Sequence, residues 1–170
     1  MKIFIPRMYQ KDIFRINYQK LKEKGYKLII FDLDNTIGTI DTEECDLKTV
    51  KFINDLTKDF KIVIASNSYS SRVFKYTKEI KCDVFAFSLK PTLKVIRKIK
   101  KKYQINYKDM VIIGDQILTD VLVGNRKGLL TILVDPIKNL DFKVTSLNRR
   151  LERVINKKNK LIKGAYYEEK

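Results

Sequence analysis

Short apolar runs alternate along the chain with longer stretches of helical period, and this alternation constrains the fold more than any other feature. Parallel strands need long crossover connections, usually helices, and strands covered on both faces are continuously apolar. The sequence therefore predicts an α/β fold with a mainly parallel sheet of about five strands, covered by helices. The predicted strands are 27–31, 61–65, 84–87, 110–113 and 130–134.

Apolar residues at helical spacing fall between the predicted strands and are interpreted as the core-facing stripes of helices. The two stripes are Leu47, Val50, Ile53, Leu56 and Phe60, and then Leu93, Ile96, Ile99 and Tyr103. Pro91 suits the first turn of a helix, because its ring presets φ and its missing N–H would have no partner there. We therefore expect Lys90 to lie just before a helix.

A chain of 170 residues is long enough to bury one core without disulfides or a structural metal. No Gly/Ser-rich linker divides it, so we expect one domain over residues 1–170. Residues 1–24 and 141–170 are predicted to be basic, partly amphipathic extensions. The aligned apolar residues are Phe14, Tyr18 and Leu21 in the first, and Leu147, Leu151 and Val154 in the last.

The net charge of +16 is concentrated in residues 1–30, 90–102 and 141–170. Such segments suit an anionic partner, whether a lipid surface, a nucleic acid or an acidic protein, although a generally lysine-rich surface is an equal alternative. No apolar run is long enough for a membrane span, and the two cysteines show no metal-ligand spacing. We expect a cytoplasmic protein, with peripheral contact at a membrane surface as a further hypothesis and no obligate protein partner.

Polar residues follow the predicted strands where each one ends. Asp32 and Asp34 follow the first, Ser66 and Asn67 the second, Lys90 the third, and Asp115 the fourth. In open parallel sheets, ligands bind beyond the carboxyl ends of the strands. The sequence therefore predicts a site at this edge that contains carboxylates, a hydroxyl and a lysine.

This set of side chains suits phosphoryl transfer, and the absence of histidine excludes histidine-based catalysis. Clustered carboxylates favour a hard cation such as Mg²⁺, for which Asp32 and Asp115 are the natural ligands. A carboxylate can also serve as nucleophile through an aspartyl-phosphate, a role predicted for Asp32. Asp34 is placed to act as general acid and base. Lys90 and the Ser66 hydroxyl would hold phosphate oxygens.

The same residues resemble the four motifs of the haloacid dehalogenase (HAD) superfamily in sequence order. The matching segments are Asp32-Leu-Asp34-Asn-Thr36, Ser66-Asn67, Lys90-Pro91 and Gly114-Asp115-Gln116 with Thr119-Asp120. The run GDQILTDVLVGNRKG from Gly114, followed by TILV from Thr131, resembles the YqeG branch of HAD subclass IIIA. That branch shares the segment 6–9 and the Asn148-Arg149-Arg150 stretch.

The resemblance implies a three-layer Rossmann-like HAD fold and phosphomonoesterase activity. It further implies a Mg²⁺ held by Asp32, Asp115 and the backbone carbonyl of Asp34. It also implies that Asn67 joins Ser66 and Lys90 in binding phosphate, with Thr36 and Asp120 in supporting positions. Members similar to this branch include phosphatases that act on phosphatidylglycerophosphate. Ser68 departs from the pattern, which would have a second asparagine there.

The spacing between the motifs leaves no room for a large cap domain, so we expect an open site suited to a bulky substrate. A lipid phosphate fits this expectation together with the basic segments. The alternatives are a phosphatase acting on nucleic-acid ends, phosphoproteins or small metabolites, and a non-catalytic HAD-fold binding module. A receiver-like signalling domain is disfavoured, because a slow switch would not need the acid-base residue Asp34.

Overall fold

A six-stranded parallel sheet forms the centre of the structure, a computed structural model that describes residues 2–138, 155 and 161–166. The strand order is β1-β6-β5-β2-β3-β4, and every neighbouring pair is parallel. The carboxyl ends of the strands therefore share one edge. The strands are β1 Met8–Gln10, β2 Leu28–Phe31, β3 Lys61–Ala65, β4 Asp83–Phe85, β5 Met110–Gly114 and β6 Leu130–Val134.

Alternate residues of each strand serve opposite faces of the sheet, which explains why the central strands are apolar throughout. Within β2, Ile29 and Phe31 pack into one core and Leu28 and Ile30 into the other. All four side chains are fully buried. The sheet is thus the middle of three layers, as the sequence predicts.

In the described residues, five α-helices cover the two faces of the sheet. They are α1 Tyr18–Glu23, α2 Leu47–Leu56, α3 Ser70–Thr77, α4 Lys94–Tyr103 and α5 Leu122–Asn125. Leu21, Ile53 and Val73 place α1, α2 and α3 on the first face. Ile96 and Val123 place α4 and α5 on the second. Short 3-10 helices occupy Lys2–Phe4, Ile13–Arg15 and Tyr107–Asp109, and a π-helical turn occupies Ile117–Val121.

Strand β1 is a difference from the sequence prediction, which has no strand in the first 24 residues. Met8 pairs with Ile132 of β6, and the backbone of Tyr9 exchanges hydrogen bonds with Gly164 and Ala165. The segment therefore completes the sheet. Ile13 and Leu21 further along it are each 2% exposed.

Two details of the predicted helices are wrong. Leu47 is 84% exposed because it lies in the first turn of α2, before the helix reaches the core, whereas Ile53 is fully buried. Pro91 precedes α4 instead of occupying its first turn, since Leu93 is the N-cap residue and a cis peptide bond joins Lys90 to Pro91. Strand β4, at the edge of the sheet, is also shorter than the predicted strand 84–87, because it ends at Phe85.

The predicted extension over residues 141–170 lies mostly outside the described residues, including Leu147, Leu151, Val154 and the Asn148-Arg149-Arg150 stretch. In the described part of the chain, the connections between the motifs hold α2, α3 and β4, with no separate cap domain. No helix in that part has the length and apolar character needed to cross a membrane.

Candidate active site

The predicted site residues converge at the carboxyl edge of the sheet. Asp32 directly follows β2, Ser66 follows β3, and Asp115 follows β5, the strand that pairs with β2 on its other side. Lys90 lies on the loop between β4 and α4. The parallel register brings these four strand ends together, so the grouping follows from the sheet order.

Lys90 is the centre of the site, and its side chain is only 2% exposed. Its ammonium Nζ donates to Asp32 Oδ1, Asp120 Oδ1 and the carbonyl of Ala65, each at 2.7 Å. A buried ammonium needs such partners, because an unpaired charge away from water is costly. These three contacts fill the three donor positions of the lysine.

Burial and neighbouring charges shift the pKa values of both Asp32 and Lys90. Burial raises the pKa of Asp32 to about 7, against the attraction of Lys90 and with added repulsion from Asp120 and Asp34. Burial alone would lower the pKa of Lys90, but Asp120 and Asp32 hold it above its ordinary value. Lys90 therefore stays charged, and Asp32 would gain from a further cation nearby.

Three buried carboxylates offer such a cation a set of hard ligands. Oxygen atoms of Asp32, Asp115 and Asp120 all lie within 4.8 Å of one another. The Thr36 hydroxyl donates to Asp115 Oδ1 at 3.4 Å and supports it from the loop after β2. Sequence reasoning gave Asp120 a supporting place, whereas here its carboxylate lies among the possible ligands.

Asp34 faces the β3 side of the site, where it has three partners. Its Oδ2 accepts from the hydroxyls of Ser66 at 3.4 Å and Ser68 at 2.5 Å. Its Oδ1 lies 2.8 Å from Nη1 of Arg72 in α3, an ion pair without favourable hydrogen-bond angles. The serine at 68, a departure from the resembled pattern, thus contacts the predicted acid-base residue.

Arg72 was not among the residues predicted from sequence. Besides Asp34, its guanidinium contacts the carbonyls of Thr39 at 2.8 Å and Ile40 at 3.4 Å. It therefore ties α3 to the loop after β2. An arginine within a helix is usually a solvated surface residue, so no local signal distinguishes it.

Asn67 uses its side chain to hold the backbone of Lys90. Its Oδ1 accepts from the Lys90 N–H at 2.9 Å and from the Ser88 hydroxyl at 2.7 Å. Its Nδ2 donates to the Lys90 carbonyl at 2.9 Å. The resemblance implies that Asn67 binds phosphate, but in the structure its side-chain amide holds the backbone of Lys90.

Asp120 is positioned by the π-helical turn that follows β5. Its Oδ2 accepts from the Gln116 N–H at 3.3 Å and the Thr119 hydroxyl at 3.2 Å. Gly114 lies under this carboxylate, and a Cβ atom there would collide with the Asp120 side chain. A glycine at the end of β5 is therefore required for Asp120 to reach Lys90.

Sequence comparisons show that the chain is similar to proteins named as phosphatases. A family model described as mitochondrial PGP phosphatase matches residues 1–138. The chain is 36% identical over 155 residues to "Probable phosphatase YqeG" of Bacillus subtilis (strain 168), covering 91% of this chain and 90% of that protein. It is 28% identical over 170 aligned residues to phosphatidylglycerophosphate phosphatase 1, chloroplastic/mitochondrial, of Arabidopsis thaliana, covering 91% of this chain but 47% of that protein.

Solved structures share the fold at low sequence identity. A "predicted HAD-like family hydrolase" from Porphyromonas gingivalis has a TM-score of 0.55 at 14% identity, covering 75% of this chain and 98% of that one. A HAD family enzyme from Bacteroides thetaiotaomicron, solved as a magnesium complex, has a TM-score of 0.56 at 10% identity. That match covers 69% of this chain and 97% of the other.

Proposed function

The chain belongs to the family described as mitochondrial PGP phosphatase and is a HAD-like phosphatase, and from this premise we propose that it hydrolyses a lipid phosphomonoester with Mg²⁺. Phosphatidylglycerophosphate is the substrate that the names of its relatives indicate. The chain spans about half the length of the two relatives that carry that name, from Arabidopsis thaliana and Chlamydomonas reinhardtii.

One observation carries the proposal: the ammonium of Lys90 bridges Asp32 and Asp120 at 2.7 Å each, beside Asp115 at the carboxyl edge. A fixed cation next to a carboxylate nucleophile offsets the repulsion between that nucleophile and an anionic phosphoryl group. The same cation keeps the nucleophile oriented. The arrangement suits a phosphatase better than a passive binding site.

In the first step of the proposed reaction, an oxygen of Asp32 attacks phosphorus, and the bond from phosphorus to the alcohol oxygen breaks. Asp34, in its protonated form, gives its proton to the departing alkoxide and leaves an alcohol. The product on the protein is an aspartyl-phosphate at Asp32. Lys90 stays charged throughout, because Asp120 remains its partner.

In the second step, the Asp34 carboxylate accepts a proton from a water molecule as that water attacks the phosphorus of the aspartyl-phosphate. The acyl phosphate bond breaks, inorganic phosphate leaves, and the carboxylate of Asp32 is restored. Asp34 ends the cycle protonated, ready for the next substrate. The hydroxyl of Ser68 donates to its side chain in the structure and would keep it in place.

The donor set fits a magnesium ion. Buried carboxylate oxygens within 4.8 Å of one another are the hard ligands that Mg²⁺ prefers, and the pKa of Asp32 raised to about 7 by burial would fall beside a divalent cation. Asp32 and Asp115 would hold the ion, with the backbone carbonyl of Asp34 as the third protein ligand. When bound, Mg²⁺ neutralises phosphoryl oxygens and orients them for attack.

The phosphate-binding part of the site is proposed to consist of Ser66 and the loop at Asn67, with Lys90 as a fixed positive charge beside them. Because the amide of Asn67 is engaged by Lys90 and Ser88, its backbone N–H is the group that we expect to face the phosphate. The absence of a cap in the described part of the chain supports a substrate whose own body covers the site. A lipid headgroup meets that condition.

The decisive experiment measures phosphate release from phosphatidylglycerophosphate in mixed micelles, with and without Mg²⁺. An aryl phosphate and an oligonucleotide with a 3′-phosphate are measured beside it, and Asp32→Asn serves as the inactive control. We expect the lipid to be preferred and Asp32→Asn to lose at least about a thousandfold in rate. Acid-quenched protein should carry phosphate on Asp32 only in the wild type.

Other outcomes identify other functions. If only the oligonucleotide or only the aryl phosphate is hydrolysed, the protein is a phosphatase but the proposed lipid substrate is wrong. Phosphoproteins and small metabolites are then the next substrates to test. Release from none of the three substrates would favour a HAD-fold module that binds its partner without chemistry.

A further inference from the structure

Three exposed apolar side chains form a patch next to the proposed site, here called the apolar rim: Tyr69, Phe87 and Leu89. They are 72%, 52% and 51% exposed. The rings of Tyr69 and Phe87 contact each other edge to face, with their centroids 5.1 Å apart. Isolated exposed apolar residues are ordinary on soluble proteins, but three of them on the loops that border one site suggest a contact surface.

The rim is attached to the catalytic loops themselves. Tyr69 is three residues from Ser66, and Leu89 directly precedes Lys90. The Phe87 N–H donates to the Ser68 carbonyl at 3.2 Å, so the two loops are joined. Any surface that covers the rim therefore also lies against the mouth of the site.

The backbone of the loop after β4 directs the rim outward. Phe87 and Leu89 have φ angles of +49° and +54°, in a region that bulky residues seldom occupy. Ser88 between them is buried, with its hydroxyl on Asn67. The loop thus turns a small polar side chain inward and exposes two large apolar ones.

Basic side chains extend from the rim along α4. Lys94, Arg97, Lys98 and Lys101 recur at helical spacing on an exposed face of that helix. Within the portion of the chain that the structure covers, none of these four forms an ion pair with an acidic side chain, whereas Lys102 pairs with Asp83. Their charge is available to an anionic surface.

We propose that the apolar rim inserts into the interface of an anionic lipid membrane, with the basic face of α4 contacting the lipid headgroups. This inference rests on the proposed lipid substrate and adds the surface by which the enzyme reaches it. Aromatic and leucine side chains partition into the headgroup region, and each nearby Lys or Arg adds attraction to anionic lipid. A specific protein interface usually needs about 20–30 residues a side, far more than the rim supplies.

Insertion of the rim would orient the whole catalytic edge towards the membrane. Ser66 and Lys90, which flank the rim in sequence, would then lie at headgroup depth. A phosphate at the end of a lipid headgroup would reach Asp32 without the acyl chains leaving the bilayer.

The first test uses a tryptophan reporter, because the chain contains no tryptophan. Leu89→Trp places the reporter on the rim. Ile3→Trp is the matched control, since Ile3 is also exposed, at 45%, but precedes β1, the strand at the far end of the sheet order from β4. With phosphatidylglycerol-containing vesicles, we expect a blue shift and quenching by brominated acyl chains for Leu89→Trp and neither for Ile3→Trp.

The second test removes two of the three rim side chains without disturbing their backbone. Asparagine tolerates positive φ, so Phe87→Asn/Leu89→Asn should fold with an unchanged circular dichroism spectrum. We expect its binding to anionic vesicles to fall at least about tenfold, while turnover of a water-soluble aryl phosphate stays within about twofold of wild type. Vesicles of neutral phosphatidylcholine should bind both forms weakly.

These tests separate the rim from the proposed function. If the tryptophan fluorescence of Leu89→Trp is not quenched, or is quenched equally in Ile3→Trp, the membrane proposal for the rim is overturned. This holds even if the lipid is hydrolysed in micelles. Vesicle insertion without lipid hydrolysis supports the rim and refutes the substrate. A change in oligomeric state with unchanged vesicle binding in the double variant would assign the rim to a protein contact and overturn the membrane proposal.

Discussion

Arg72 connects the proposed acid-base residue to the rest of the site. Its guanidinium pairs with Asp34 and holds the carbonyls of Thr39 and Ile40. Replacing it with a neutral side chain would leave Asp34 held by serine hydroxyls alone. Misplacing a catalytic group by about 1 Å can cost about a hundredfold in rate.

We therefore expect Arg72→Gln to slow hydrolysis of an alkyl phosphate by about 10- to 100-fold and that of p-nitrophenyl phosphate much less. The aryl leaving group departs as a stable anion and needs little help from an acid. The measurement is kcat/KM for both substrates. Lys75→Gln on the same helix, where an exposed lysine pairs with Glu43, is the matched control, and an equal loss for both substrates in Arg72→Gln would contradict the role.

Asn67 is predicted to act through Lys90, whose backbone N–H and carbonyl it binds. Asn67→Ala should lower the free energy of unfolding by about 1–3 kcal/mol and also lower kcat/KM by at least about tenfold, because the lysine loses its fixed position. Both quantities are measured, by denaturant unfolding and by aryl phosphate turnover.

Asn54 is a matched control for this prediction. It makes the same kind of contacts, donating to the Glu79 carbonyl and accepting from the Lys81 N–H, but far from the site. Asn54→Ala should lose similar stability and keep its activity. If both variants lost activity alike, the effect of Asn67 would be one of general stability.

Three of the residues that sequence reasoning identified directly follow strands. Asp32, Ser66 and Asp115 each come at the end of an apolar run, so their position at one edge follows from the strand pattern alone. Arg72 and the amide contacts of Asn67 were missed because they depend on side-chain reach between separate loops. Their roles remain predictions, as do those assigned to Asp34 and Lys90.

At the scale of elements, the π-helical turn Ile117–Val121 carries Asp120 back over the end of β5. Gly114 makes room for that carboxylate. Gly114→Ala should therefore push Asp120 away from Lys90 and lower kcat/KM by at least about tenfold. Activity is measured at a temperature where the variant is fully folded by circular dichroism.

Gly124→Ala provides the comparison for this substitution. A Cβ atom at Gly124 would collide with side-chain methyl groups of Thr131 and Ile112 in the core. We expect a loss of about 1–3 kcal/mol in unfolding free energy from overpacking with kcat/KM preserved. Equal losses of kcat/KM in Gly114→Ala and Gly124→Ala would contradict the proposed role of Gly114 in positioning Asp120.

Strand β1 shows why one element could not be predicted. Its three residues, Met8-Tyr9-Gln10, form no apolar run, and none of them is fully buried. The strand exists because β6 and residues 164–166 pair with it from distant parts of the chain. The five longer apolar runs needed no such information, which is why they were identified from sequence.

At the scale of the whole molecule, metal binding should stabilise the fold. A ligand that binds only the folded state adds about 2.7 kcal/mol when present at 100 times its Kd. In a chain of this size each kcal/mol raises Tm by about 2–4 °C. We therefore expect Mg²⁺ to raise Tm and a chelator to reverse the rise, as followed by scanning calorimetry.

Asp115→Asn should abolish most of this gain, because it removes one of the proposed ligands. Asp109→Asn is the control: Asp109 precedes β5, at the opposite edge of the sheet, and pairs only weakly with Lys27 at 3.5 Å. The proposed metal site would be contradicted if Mg²⁺ did not change the Tm of the wild type, or if Asp115→Asn kept the full rise in Tm.

The adjacency of β1 and β6 has a consequence for synthesis on the ribosome. The Arg7 N–H donates to Thr131, 124 residues further along the chain, so the first strand has no partner until almost all of the sheet has emerged. Strands β2 and β3 are near neighbours in sequence and can pair earlier, since contacts between close segments form faster. The segment that carries β1, although made before the other strands, would therefore be among the last to join the nascent fold.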